Sequence, residues 1–177
     1  GPFQVGPVEI SGAVKGGGAL TGSMMSPRAD LTTDVAAIDI PRLPLKAAHI
    51  VLSFVKNPSG FAGQIAVNAD SEFGPARARS DFHFVENGVD LTGLDADAGG
   101  VKARGALSVG GAEPSAADLH LVVGPGAVLT RGQAQGDLRI VGGPGPATAS
   151  LQMQARDAVI RGAGVWLKTA SISGSGP

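Results

Sequence analysis

The chain has 177 residues, of which 28 are glycine and 12 are proline, and its formal net charge is −1. The balance of 14 basic against 15 acidic residues excludes a strongly basic nucleic-acid binder, and the absence of cysteine excludes disulfides, thiolate zinc sites and thiol nucleophiles. Valine, isoleucine, leucine and phenylalanine make up about a quarter of the chain, more than disordered sequences contain. This composition favours a wide, shallow structure over a compact two-layer domain.

The first two residues, Gly1-Pro2, resemble the scar that protease removal of a tag leaves. We therefore expect residues 3–177 to form a single repeat-built β domain that is a segment of a longer protein. The stretch from Ser26 to Arg42 is the best candidate for a helix, but its β-branched residues disfavour one and prolines follow it. We predict a strand and a loop there.

Period-two alternation of apolar and polar residues dominates the rest of the chain and predicts strands. In residues 76–84 the pattern places Arg77, Arg79, Asp81 and His83 on one face. The most regular later stretches are 101–109, 118–123, 136–140 and 149–156. Turn residues separate the strands, with clusters at 16–18, 57–60, 87–88, 110–114, 124–126 and 142–146. The sequence thus predicts an all-β fold of about ten to twelve strands, with little or no helix.

A weak internal repeat with an offset of 31 residues links 105–111 to 136–143, and 127–132 to 158–162. Such repeats are typical of stacked architectures in which neighbouring units share one apolar face. Ten to twelve strands at a spacing of ~4.8 Å form a sheet roughly 50 Å long. The sheet must hide its apolar face by closing into a barrel, by folding over itself or by holding an apolar ligand.

The apolar stripe of this sheet has two interpretations. It is either a dry core, or an unfilled apolar surface, because alanine and glycine occupy many of the same inward positions, as at Ala103, Gly105, Gly136, Ala149 and Ala155. The bulky members of the stripe are Val101, Leu107, Val109, Leu119, Leu121, Val123, Leu138, Ile140, Leu151, Met153, Val165 and Leu167.

No constellation of catalytic or metal-binding residues stands out. His49, His83 and His120 each lie between apolar neighbours, so alternation turns them away from the apolar face. Residues 95–100 (DADAGG) begin like a calcium loop but lack its later oxygen ligands, and we predict an acidic turn. The glycine clusters at 16–18 and 142–146 lack the Lys-Ser/Thr of a phosphate loop and are predicted turns. We expect no enzymatic activity, no cofactor and no metal.

The segments GVKARGALSVGG and AVLTRGQAQGDLRIVGG, with DLTGLDADAGG before the first, resemble repeats of the AsmA-like bridge proteins of the bacterial envelope, of the TamB and YdbH type. The resemblance covers residues 60–176 and depends on strand rhythm and glycine placement. It implies an elongated antiparallel sheet folded lengthwise into an apolar trough, a β-taco. It also implies a periplasmic location in a diderm bacterium, with the full-length protein anchored in the inner membrane.

The activity that the resemblance implies is transfer of phospholipid between inner and outer membranes, with the apolar stripe as the lining of a hydrophobic groove. The implied partners are phospholipid and, through other parts of the full-length protein, the membranes, but no nucleic acid. Two alternatives stay open. One is an outer-membrane protein assembly module that binds client β-strands together with a barrel partner of the TamA type. The other is a segment of a β-solenoid surface adhesin.

Overall fold

The computed structural model describes residues 3–5, 8–23, 26–39, 43–58, 60–85, 88–110, 116–142 and 147–176. The predicted tag scar at Gly1-Pro2 and most of the predicted turns at 110–114 and 142–146 lie outside these ranges. Over the described ranges the chain consists of strands and turns, without a helix.

Twelve strands form one sheet, and each pairs antiparallel with the next strand along the chain. Among the described strands, the first and the last are not paired with each other, so the sheet is open. The predicted fold class, an all-β elongated antiparallel sheet, is therefore confirmed. The strands are β1 (Phe3–Val5), β2 (Val8–Ser23), β3 (Ser26–Asp39), β4 (Leu45–Asn57), β5 (Gly60–Ser71), β6 (Gly74–Val85), β7 (Gly88–Ala98), β8 (Val101–Gly110), β9 (Ala116–Val123), β10 (Leu129–Val141), β11 (Thr148–Ile160) and β12 (Trp166–Gly176).

Two predicted turns were wrong. Residues 16–18 lie inside β2, where they pair with Thr33, Thr32 and Leu31. Three glycines in a row weaken a strand but do not end it when a long partner supplies the pairing. In residues 95–100, the first four extend β7 and the turn consists of Gly99 and Gly100, both with positive φ. The strand predicted from Ser26 is confirmed by β3, and the loop predicted up to Arg42 falls on residues 40–42, which lie outside the described ranges.

Alternation divides the sheet into an inner, apolar face and an outer, polar face. In β6 the inner face carries Ala76, Ala78, Ser80, Phe82 and Phe84, and the outer face carries Arg77, Arg79, Asp81 and His83. Inner residues pair with inner residues in every neighbouring strand, so Val101, Val123, Ala134 and Ala155 form one continuous row across β8 to β11. Burial of these apolar side chains is what holds the register, because a shift by one residue would expose the entire row.

The two long rims of the sheet differ. At the rim that holds the β5–β6, β7–β8, β9–β10 and β11–β12 connections, the turns bond to one another, with the Ala127 N–H donating to Gly99 O (2.7 Å) and the Arg161 N–H to Val128 O (2.8 Å). The Arg161 guanidinium also lies 5.0 Å from the centre of the Phe73 ring. In a flat sheet the β5–β6 turn that holds Phe73 and the β11–β12 turn that holds Arg161 would be six strand spacings, or roughly 29 Å, apart. The sheet therefore curls strongly about its inner face at this rim, which we call the closed rim.

Among the described residues, the two side chains without exposed surface, Ala48 and Ala158, lie near the closed rim. Toward the opposite rim, the open rim, Ala29, Phe82 and Ala117 are buried, but Phe61, Phe84 and Val109 are 40% to 49% exposed. Val35, Ala48 and Ala76 belong to one buried cluster and Val123 and Leu129 to another. The chain exposes 11225 Å² of surface, whereas a compact monomer of this mass exposes roughly 7,900 Å². The described residues include no large side chain that is fully buried. The apolar face is thus sealed at one rim and accessible at the other.

Candidate functional site

The inner face holds eleven of the twelve residues predicted to line a groove. Val101, Leu107 and Val109 lie on it in β8, Leu119, Leu121 and Val123 in β9, Leu138 and Ile140 in β10, Leu151 and Met153 in β11, and Leu167 in β12. The twelfth, Val165, lies in the turn before β12 and is 45% exposed. The prediction for Val165 assumed that strand alternation continues into this connection. Outside the strands, the direction of a side chain is not fixed by pairing with a neighbouring strand.

Small residues separate the bulky ones within these rows. Leu121, for example, pairs with Ala103 on one side and with Gly136 on the other. Gly105 and Ala149 likewise lie on the inner face, opposite Leu119 and Ile140. The inner face therefore consists of ridges, formed by leucine-sized side chains, and of shallow apolar gaps at the alanine and glycine positions between them. Flexible methylene chains can fill gaps of this shape.

The sequence-based list missed the first half of the face, because it began at Val101. The strands β3 to β7 extend the same apolar surface through Leu31, Ile50, Leu52, Phe54, Phe61, Ile65, Phe82 and Leu91. The alternation in residues 61–67 and 76–84 was the signal that could have placed most of these residues. The face thus runs without interruption from β3 to β12.

Four phenylalanines gather on the inner face of β4, β5 and β6 toward the open rim. Phe54 and Phe61 meet edge to face with ring centres 5.7 Å apart, and Phe82 and Phe84 do so at 5.1 Å. Phe61 and Phe84 remain 40% and 48% exposed. We call these four side chains the aromatic cluster. The two exposed rings of this cluster, Phe61 and Phe84, present apolar surface at the open rim.

The outer face carries rows of alternating charge. Asp95 in β7 lies between Arg79 (3.3 Å) in β6 and Arg104 (3.4 Å) in β8. In the next row Asp97 lies between Arg77 (3.4 Å) and Lys102 (3.7 Å). Partial burial acts to raise the pKa of Asp95, but the guanidinium groups of Arg104 and Arg79 outweigh it and hold that pKa below the usual aspartate value. The outer face is therefore a solvated, ion-paired surface.

Asp95 makes stability depend on pH in a defined direction. Because its pKa is lower in the folded chain than in the unfolded chain, Asp95 stabilises the fold above the unfolded pKa of about 3.9, and this contribution is lost as pH falls through the folded pKa. We expect the unfolding free energies of wild type and Asp95→Asn to differ at pH 6, and this difference to shrink as pH falls below the unfolded pKa of about 3.9. Urea denaturation at a series of pH values measures the unfolding free energy of wild type and of Asp95→Asn. A difference between the two that did not change with pH would contradict the prediction.

The histidines lie on the outer face, as predicted. His49 Nδ1 is 2.6 Å from Asp34 Oδ1, and His120 Nδ1 is 2.8 Å from Asp137 Oδ1. His83 Nε2 is buried and has no hydrogen-bond partner among the described residues. Within the described ranges, no group of three or more histidine, aspartate or glutamate side chains is arranged to hold a metal ion.

In the described part of the chain, no helix has the length and apolarity needed to cross a membrane. Comparison with known protein families, with curated proteins and with solved structures found no match to this chain.

Proposed function

We propose that this chain is a segment of a periplasmic, bridge-like lipid transfer protein that moves phospholipids between the inner and outer membranes. The observation that supports the proposal best is the continuous apolar inner face, which no second layer of the described structure covers. An exposed, contiguous apolar surface of this kind is typical of a site for an apolar ligand or partner. The resemblance to AsmA-like bridge proteins supports phospholipid as that ligand.

The proposed mechanism needs no catalytic residue. Acyl chains lie on the inner face and gain roughly 25 cal/mol for each Å² of apolar surface that leaves water. The closed rim is sealed by hydrogen-bonded turns, so the polar head groups extend past the open rim into water. Because the same ridges and gaps recur from strand to strand, a lipid moves sideways along the sheet without crossing a charged row.

The test is purification of the chain without detergent, followed by extraction with organic solvent and lipid mass spectrometry. We expect at least about one phospholipid molecule to co-purify with each chain, because acyl chains that cover the inner face remove its apolar surface from water. A monodisperse, lipid-free protein that also fails to take up phospholipid from vesicles would contradict the proposal.

The adhesin alternative loses its structural basis, because consecutive strands pair antiparallel and do not form the parallel coils of a solenoid.

A further inference from the structure

We propose that the contact between Arg161 and Phe73 is a latch that holds the sheet curled at the closed rim, and that its release lets the inner face widen there. The proposal goes beyond the proposed function, because it concerns a movement of the sheet and applies whatever ligand the inner face binds. Among the described strands, β5 and β6 pair with neither β11 nor β12. The β5–β6 and β11–β12 turns therefore meet without a strand ladder between them.

Arg161 is fixed on the side of the latch that belongs to the later strands. Its backbone N–H donates to Val128 O (2.8 Å), and its Nε–H donates to Gly126 O (2.6 Å). The same guanidinium lies 5.0 Å from the centre of the Phe73 ring. A planar guanidinium can donate from its edge to a carbonyl and stack its face on an aromatic ring. Arg161 therefore links the β9–β10, β11–β12 and β5–β6 turns.

Phe73 is held on the other side of the latch by its own hairpin. The Phe73 N–H donates to Ser71 Oγ (3.2 Å), and the Ser71 hydroxyl donates to Gly74 O (2.8 Å). Gly74 has a φ of 104°, which favours glycine and ends the turn where β6 begins. These local bonds keep the ring in place whether or not Arg161 contacts it. The link between the two sides is thus an exposed cation–π contact, which is weak compared with a strand ladder.

A bulge supplies the hinge that such a movement needs. Asp157 in β11 has a positive φ of 48°, and the register of β10 with β11 shifts on both sides of Arg131. A bulge interrupts the ladder and lets a strand bend locally. The tip of the β11–β12 hairpin, residues 158–167, lies beyond this bulge. It can therefore move away from Phe73 while the regular pairing of residues 133–141 with β11 stays intact.

The experiment measures the distance across the rim in the lipid-free chain. The chain has no cysteine, so Glu72→Cys and Ala163→Cys introduce two unique sites for spin labels, on exposed residues of the two turns. Double electron–electron resonance is expected to give one short distance in the otherwise wild-type chain. Arg161→Gln should increase the population near the flat-sheet separation of roughly 29 Å by about tenfold, the effect of losing one charged hydrogen bond.

Two further variants test whether Arg161 acts through Phe73. Phe73→Leu keeps an apolar side chain but removes the cation–π contact, so it should also increase the open population. Combined with Arg161→Gln it should add nothing, because the latch is already lost. Arg156→Gln removes a guanidinium from an exposed position of the same strand and is the matched control, which should behave as wild type.

Hydrogen exchange distinguishes opening from unfolding. In Arg161→Gln the backbone amide of residue 161 should exchange about tenfold faster, while the amides of Leu121 and Leu138 exchange as in wild type. Equal acceleration at all three positions would show general destabilisation and would overturn the latch. An unchanged distance in Arg161→Gln, or the same opening in Arg156→Gln, would overturn it as well. None of these outcomes depends on phospholipid binding, so failure of the latch and failure of the proposed function are separate results.

Discussion

Replacement of Leu121 by aspartate is expected to lower the phospholipid that co-purifies with the chain by at least about tenfold. Leu121 is a ridge in the middle of the inner face, with Ala103 and Gly136 as its neighbours in the adjacent strands. A carboxylate there must either keep its water, which excludes acyl chains, or be buried under them at a cost of several kcal/mol. A loss of 1.4 kcal/mol in binding already lowers affinity tenfold.

The control for this substitution is the next residue along β9. Val122 lies on the outer face, is 37% exposed and pairs with Lys102 and Gln135. Val122→Asp adds the same charge to the same strand, so any general effect of a carboxylate on β9 appears in both variants. Lipid mass spectrometry of the two, with circular dichroism to verify folding, is the measurement. Equal lipid content in Leu121→Asp and Val122→Asp would contradict an inner-face groove.

Gly136→Ala is expected to destabilise the sheet by about 2 kcal/mol, equivalent to a melting temperature lower by about 6 °C for a chain of this size. Gly136 lies on the inner face of β10 and its backbone φ is not positive, so the cost is purely steric. A methyl group there would meet the Gln152 carbonyl oxygen and would lie 2.7 Å from the Cα of Met153. Glycine at such a close approach of two strands is typical of a bent sheet.

Gly174→Ala provides the matched control for the steric argument. Gly174 also lies on the inner face, opposite Leu151, but nothing lies within 4 Å of a Cβ built on it. We expect this variant to change the unfolding free energy by less than about 0.5 kcal/mol. Thermal and urea unfolding of both variants test the difference. If Gly136→Ala were as stable as Gly174→Ala, β10 and β11 would not approach as closely as described.

Alternation in the sequence was sufficient to predict the fold class and the two faces, because the side-chain direction in a strand repeats every two residues and depends on local geometry alone. It correctly placed Leu119, Leu121 and Leu138 on the apolar side and His120 on the polar side. It did not predict where alternation changes phase. At Ala47 and Asp157, both with positive φ, a bulge moves the next residues to the opposite parity.

The features that only the tertiary structure decided are those that depend on pairing between distant segments. The contact of Phe73 with Arg161 seals one rim, although nothing local in either turn predicts it. The register of β7 with β6 and β8 places Asp95 between two arginines. The apolar pattern of a single strand determines which of its side chains lie on the inner face. Which residues of other strands they meet depends on the register and the curl of the sheet, and both arise from apolar burial summed over many strands.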